Sequence, residues 1–486
     1  MPGNVTISIL VLLLLVGFSG CNSSSNDSSG GGGDSIEGSP QLTNVDPEAN
    51  DSSVVSAAGI TITFDTTMAA GSANSLVVHG SLTGKLNGTY SGGGTEMLRF
   101  DAATGFKIGE EIEVIITSSL ISTEGRSLLS PTVYRFRAES FGGSGNFIPA
   151  GRISNMTRPI ALVAGDWNGD NHIDLAAANP GADRVDILEN DGTGAFNVTG
   201  TIADQTDVRS LAAGDWDGDG DLDLAVADYA ASSLNVLKND GSGAFTLHFT
   251  FSGLFRPLGV ATGDWDGDGD LDLAVANFEG DWLDILENDG AGRFSVIKLI
   301  LDQYGPRAIA AGDWDGDGSL DLAVANFKGD WVGILKNFGN GDFRVVQKIA
   351  DRLATTAIAT GDWDDDGDLD LAFANLWSDT VDVVENDGAG SFTVKQTIPN
   401  QLSASALAIG DWDGDGDLDL AVAALDADNI AVIGNDGIGN FTVESSLAGQ
   451  LGARALAAGD WDGDGDLDLA VANYSDNSIG VLKNQP

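Results

Sequence analysis

Apolar positions divide the chain into three regimes. Ile9 to Phe18 form one uninterrupted run of about ten apolar residues, too short to cross a bilayer as a helix of roughly 20. From Gln41 to about Ser140, polar and apolar residues alternate in short segments: Ile60-Thr61-Ile62-Thr63-Phe64, Met97-Leu98-Arg99-Phe100, Ile112-Glu113-Val114-Ile115 and Tyr134-Arg135-Phe136-Arg137. Period-two alternation broken by Gly, Ser, Asn and Asp clusters predicts half-buried antiparallel strands, and about a hundred residues of it suffices for a sandwich. From residue 143 onwards one unit recurs. In its second copy Leu211-Ala212-Ala213 leads into an acidic loop, and Leu222 to Ala227 then alternates large with small residues. Leu234 to Leu237, a turn Asn239-Asp240-Gly241-Ser242-Gly243 and a run from Phe245 follow. Four strands in a unit of this size predict a propeller blade.

The recurrence is strict. Asp166, Asp215, Asp264, Asp313, Asp362, Asp411 and Asp460 are spaced by 49 residues, each preceded by Gly and followed by Trp. The last unit stops after its third run, at Asn484-Gln485-Pro486, whereas Gly143, Gly145 and Phe147 precede Gly192, Gly194 and Phe196 by 49 each. Residues 143–153 are therefore expected to supply the missing fourth strand, so that the ring closes by pairing the two ends.

Within the loop, positions 1, 3, 5, 7 and 9 of the second copy are Asp215, Asp217, Asp219, Asp221 and Asp223, with Gly220 at position 6. Carboxylates at alternate positions of a tight turn can converge on one hard cation that takes six to eight oxygens, and Gly at position 6 permits the positive φ such a turn demands. Without an ion these oxygens repel one another. Mg²⁺ fits less well, because it keeps its waters.

Charge agrees with this picture. The chain carries 23 Lys and Arg against 73 Asp and Glu, a net charge of −50, and 33 of the acids lie in the seven nonapeptides. Such a surface repels phosphate backbones and excludes a nucleic-acid binder. A single Cys excludes an internal disulfide and a Cys-based zinc site, and three His leave little imidazole chemistry.

The loops and their spacing resemble the FG-GAP or VCBS repeats of the integrin α-subunit head and of many bacterial surface proteins. The resemblance covers residues 143–486 and implies an all-β, seven-bladed β-propeller. It implies Ca²⁺, about seven sites, in loops joining the first and second strands of each blade on the lower face. It also implies ligation by positions 1, 3, 5 and 9 through side chains and by position 7 through its carbonyl. The side-chain ligands are then Asp166, Asn168, Asp170 and Asp174; Asp215, Asp217, Asp219 and Asp223; Asp264, Asp266, Asp268 and Asp272; Asp313, Asp315, Asp317 and Asp321; Asp362, Asp364, Asp366 and Asp370; Asp411, Asp413, Asp415 and Asp419; and Asp460, Asp462, Asp464 and Asp468. The first copy departs with Asn168, Asn171 and His172, predicting a weaker site. Seven of the ten Trp stand at position 2 and read as wedges between blades.

Upstream, Val45-Asp46-Pro47, Ile62-Thr63-Phe64-Asp65 with Met68, and Tyr134-Arg135-Phe136 resemble a bacterial Ig-like domain, an Ig-like β-sandwich over 41–140 that reads as a spacer. Phe18-Ser19-Gly20-Cys21 at the end of the apolar run resembles the lipobox of bacterial lipoproteins. It implies a signal peptide over 1–20, lipidation of Cys21, a flexible Ser/Gly tether over 21–40 and a lipid-anchored place in the bacterial cell envelope, with a membrane as partner.

The face opposite the loops gathers a second set. Arg209, Arg307 and Arg454 lie six residues before their loop Asp, and Arg158 and Arg256 lie eight before, the same strand parity. Six strand residues carry them about 20 Å from the loop. The connections after the second strand bring Tyr229, Trp282, Trp331, Trp377 and Tyr474 to the same face, with Phe278 and Phe327. Arg and aromatics are enriched at binding hot spots. Two readings stay open: the set binds an acidic glycan or a protein, or the arginines pair with neighbouring acids and the aromatics pack between blades. Three function classes also stay open: a calcium-stabilised binding or adhesion module, a polysaccharide-active lyase or hydrolase, and a purely structural envelope protein. No shared triad suggests itself from His79, His172 and His248.

Overall fold

Each 49-residue unit folds as the alternation predicts. In the second unit Val208–Gly214, Asp223–Asp228, Ser233–Asn239 and Phe245–Ser252 form an antiparallel sheet in that order. The computed structural model describes residues 39–140 and 143–486. The apolar run Ile9–Phe18, read as part of a signal peptide, the lipidation candidate Cys21 and the Ser/Gly stretch to residue 38 lie outside the described residues.

Seven such four-stranded sheets follow one another from Ala161 onwards. Their first strands touch successively, and the first strand of the first sheet also meets that of the last, so the ring closes. The seventh sheet takes its outer strand from Ile148–Ser154, which pairs with Ser478–Lys483. The fourth strand expected from residues 143–153 is thus supplied in register, and Ser144 and Gly145 fasten its approach by donating to Gln485 O and Trp412 O.

The propeller core is a set of clusters shared between neighbouring sheets. Trp216 of blade two packs with Leu273, Val275 and Phe294 of blade three. All seven position-2 tryptophans are buried, and each meets a Phe of the next outer strand edge-on at 5.5–6.3 Å, a favoured aromatic geometry. Phe147 plays that part for Trp412, so the closing strand carries its own wedge partner. The Gly preceding each loop is needed because the Trp folds back over it: a Cβ on Gly312 would stand 2.5 Å from Trp314 Cζ3.

Residues 42–137 form two four-stranded sheets around a core of Ile60, Ile62, Leu98, Phe100, Ile112, Val114 and Phe136. Ile60–Phe64 and Met97–Ala102 keep the alternating half-burial expected of them, and one strand differs. Glu111–Ile116 is covered on both faces, because its outer face lies on the loop end of the propeller. Ile115 and Val133 join the cluster around Trp265. Glu113 Oε1 accepts the Asp264 N–H at 3.1 Å, and Arg135 donates to Thr262 O at 3.1 Å. Arg135 in turn pairs with Glu113 at 2.5 Å and Glu111 at 3.0 Å. A buried charge is tolerable only when paired and hydrogen-bonded, and this network meets that condition. Ser81, Glu111 and Arg135 line the loop end of the central channel, together with small residues such as Ala212, Ala310 and Ala359.

Candidate functional site

Loop three shows how the acidic turn is built. Asp264 accepts the N–H groups of Gly267 at 2.6 Å and Gly269 at 2.9 Å, which folds the loop over its first carboxylate. Asp268 accepts the Asp270 N–H at 2.9 Å. Asp272 begins the second strand and is fixed from two sides, by the Asn288 N–H at 2.8 Å and the Trp265 N–H at 3.0 Å. Gly269 has φ +102°, as position 6 requires.

This scaffold brings carboxylates of positions 1, 3 and 9 together. Asp215, Asp217 and Asp223 each present an oxygen within 4.8 Å of the others, and so do Asp264, Asp266 and Asp272; Asp313, Asp315 and Asp321; Asp362, Asp364 and Asp370; and Asp411, Asp413 and Asp419, with one further group of this kind. Position 5 is occupied differently, its carboxylate accepting the position-7 N–H in all seven loops.

The residues present fit a cation. At position 3, one oxygen each of Asp217, Asp315, Asp364 and Asp462 is buried without a hydrogen-bond partner among the described residues. Such orphaned acceptors are costly unless something positive meets them. Burial first, with the neighbouring loop carboxylates adding to it, pushes Asp272 up to about 9, and Asp321, Asp419 and Asp468 up to about 8. A bound cation reverses that logic by favouring the ionised form. In three blades a third-strand lysine leans over the loop, Lys238 toward Asp217 and Asp219, Lys336 toward Asp315 and Asp317, and Lys483 toward Asp462. The alternation of Lys238 and Lys336 with Glu189, Glu287 and Glu385 at the same position is visible in the sequence, and the sequence reading missed it.

At the opposite end of the channel a cavity of about 490 Å³ opens. The residues six before each loop Asp form its ring: Arg209, Arg307 and Arg454 in blades two, four and seven, and Ile160, Leu258, Thr356 and Ser405 in the others. Tyr229, Tyr474 and Phe278 also line it, and among the described residues no carboxylate does. Arg209 pairs with Asp207 at 2.8 Å, while Arg307 and Arg454 have no acidic partner among the described residues. Burial, and then the charges of Arg454 and Arg209, push the Arg307 guanidinium down to about 10.

Other members of the expected set are placed differently. Arg158 and Arg256 both have φ +56° and stand in the turns before the innermost strands, so shared strand parity does not apply to them. They reach the rim sideways, over Tyr474 at 5.8 Å and Tyr229 at 5.2 Å. Trp331 is buried under Lys348, whose Nζ lies 3.9 Å from the ring centre. Trp282 is half-buried and donates to Asp284 at 3.0 Å. Trp377 alone of the three is open, 64 % exposed, with its edge against Phe327.

Fold and loops together define a β-propeller of acidic-loop repeats carrying an Ig-like domain. A family model described as FG-GAP-like repeat matches in six overlapping windows from 166–226 to 411–471, and one described as bacterial Ig-like domain matches 37–138. The chain belongs to the FG-GAP-like repeat family. No curated protein matches the sequence. Among solved structures, BBS1N crystallised in complex with ARL6DN is 15% identical with a TM-score of 0.53, covering 71% of this chain and 98% of that one. A protein from Lactobacillus plantarum is 14% identical with a TM-score of 0.50, covering 78% and 98%. At these identities the likeness is one of fold. Among the described residues no helix is long and apolar enough to cross a membrane.

Proposed function

We propose that this chain is a lipid-anchored, Ca²⁺-stabilised binding or adhesion module of the bacterial cell envelope, which recognises a protein or glycan through the propeller face opposite the acidic loops. The observation that carries this reading is the channel-mouth cavity, lined by three arginines and no carboxylate in a chain of net charge −50. The other end is occupied by the Ig-like domain, which leaves the arginine face as the open one.

Ca²⁺ is the cation that suits the loops, because every donor is a hard oxygen and the turn offers carboxylates with a carbonyl. Positions 1, 3 and 9 hold it first, with Asn168 replacing a carboxylate in the first loop. The ion cancels the repulsion among buried carboxylates and so holds each blade's first two strands in place. It stabilises the scaffold, and the arginine mouth selects the partner.

The test is a glycan and matrix-protein array probed with the wild type and with Arg209→Ala/Arg307→Ala/Arg454→Ala. Loss of the captured partner in the triple variant, at unchanged Ca²⁺ affinity, is expected. Full retention would place binding elsewhere.

A further inference from the structure

Resting on that reading, we infer that the channel mouth is built for a dianionic phosphate, either inorganic phosphate or the monoester carried on a sugar.

Three features of the mouth lead there. The arginines come from blades two, four and seven, so their guanidinium groups enter the axis from three sides rather than from one strip of surface. Aromatic rings already hold them: Tyr229 lies 5.2 Å from Arg209, Phe327 5.1 Å from Arg307, and Tyr474 5.3 Å from Arg454. Those ring faces are therefore engaged by cations and are not free platforms for a neutral sugar. Finally, Arg454 Nε is buried with no hydrogen-bond partner among the described residues, so this guanidinium is not fully committed within the protein.

Charge then selects among anions. Three guanidinium groups, with Asp207 offsetting the first, leave two positive charges uncompensated. A carboxylate would cancel one of them and offers two coplanar oxygens. A phosphate monoester carries nearly two negative charges near pH 7 and three acceptor oxygens in a pyramid, which suits donors converging from three directions. Thr356 and Ser405 hydroxyls are committed as donors, to Ala404 O at 2.9 Å and Ala453 O at 2.8 Å, and the guanidinium groups are the charged donors of the mouth. The cavity of about 490 Å³ has room for a sugar behind the phosphate.

Calorimetric titration of the Ca²⁺-loaded protein, free of excess cation and at constant ionic strength, tests this with inorganic phosphate, glucose 6-phosphate, glucuronate and glucose. Both phosphates are expected to bind at least tenfold more tightly than glucuronate, with glucose silent; tighter glucose 6-phosphate assigns the source to a sugar, and tighter inorganic phosphate to the free anion. Arg307→Ala and Arg454→Ala are each expected to weaken phosphate at least tenfold. Arg307→Lys, which keeps the charge and loses the planar fork, is expected to fall between, with melting curves showing all three folded. Equal phosphate binding by wild type and both alanine variants, or tighter glucuronate than phosphate, overturns the inference. If phosphate fails to bind while the triple variant still loses its array partner, the phosphate chemistry falls and the face remains the binding face. If phosphate binds and the triple variant keeps its partner, the phosphate site stands and the partner lies elsewhere.

Discussion

Asn288 donates its Nδ2–H to the carbonyl oxygen of Trp216 in the preceding blade, at 2.8 Å. The same contact recurs seven times around the ring at 2.7–2.9 Å, and it includes Asn190 of the first blade reaching Trp461 of the last. One residue therefore serves two purposes, since the Asn288 backbone N–H also fixes Asp272 of its own loop. Blade-to-blade attachment and loop geometry are thus joined at each seam.

Asn288→Ala leaves the Trp216 carbonyl buried without its donor, which costs about 1–3 kcal/mol. Urea unfolding should show a lower midpoint at unchanged slope. An unaltered midpoint would mean that water or a neighbour replaces the contact.

Gly312→Ala places a methyl group 2.5 Å from the Trp314 ring. The indole is fixed between blades and cannot retreat, so overpacking should cost about 1–3 kcal/mol. Thermal denaturation compared with Gly316→Ala, whose Cβ meets nothing within 4 Å but whose φ is +68°, separates steric clash from backbone strain.

Chelation should lower the melting temperature sharply. At ten times Kd each occupied loop contributes about 1.4 kcal/mol, so several loops together match the 5–15 kcal/mol of a typical domain. Asp217→Asn and Asp315→Asn should each weaken one site and reduce the EDTA-induced shift. Identical melting with and without EDTA would remove the structural role of the ion.

His79 makes stability fall in acid. Burial, with the Lys85 charge second, pushes its imidazole down to about 4 from an ordinary 6.5. The group is neutral when folded, so its contribution is complete above about 6.5 and is lost as pH falls toward 4, roughly 3 kcal/mol in all. Between pH 7 and pH 4 the wild type should lose roughly 3 kcal/mol of stability relative to His79→Phe when both are denatured across that range. Parallel curves would assign the acid sensitivity to other groups.

Cys21→Ser should release the protein from the membrane fraction, because a diacylglycerol thioether with an amide-linked chain supplies the two lipid signals that stable anchoring needs. Unchanged fractionation would reject lipidation.

Much of the fold was written locally. A 49-residue period, alternation within each run and Gly143, Gly145 and Phe147 in register prescribed the blades and their closing strand. The position-2 tryptophans read correctly as wedges because an apolar ring beside every loop has nowhere to go but a seam. Those features depend on neighbours a few residues away, and periodicity reports such neighbours well. Other features depend on which surfaces meet. Alternation marks the Glu113 and Arg135 side of the Ig-like sheet as outward, yet the propeller covers it and turns solvated charges into a buried network. Trp331 looks like Trp377 in sequence, but Lys348 from an adjacent strand covers the first, while the second meets Phe327 only edge-on and stays largely exposed. Position six before the loop can be counted along the chain; that its three arginines share one mouth without a carboxylate is decided by ring closure, which brings blades two, four and seven around a single axis.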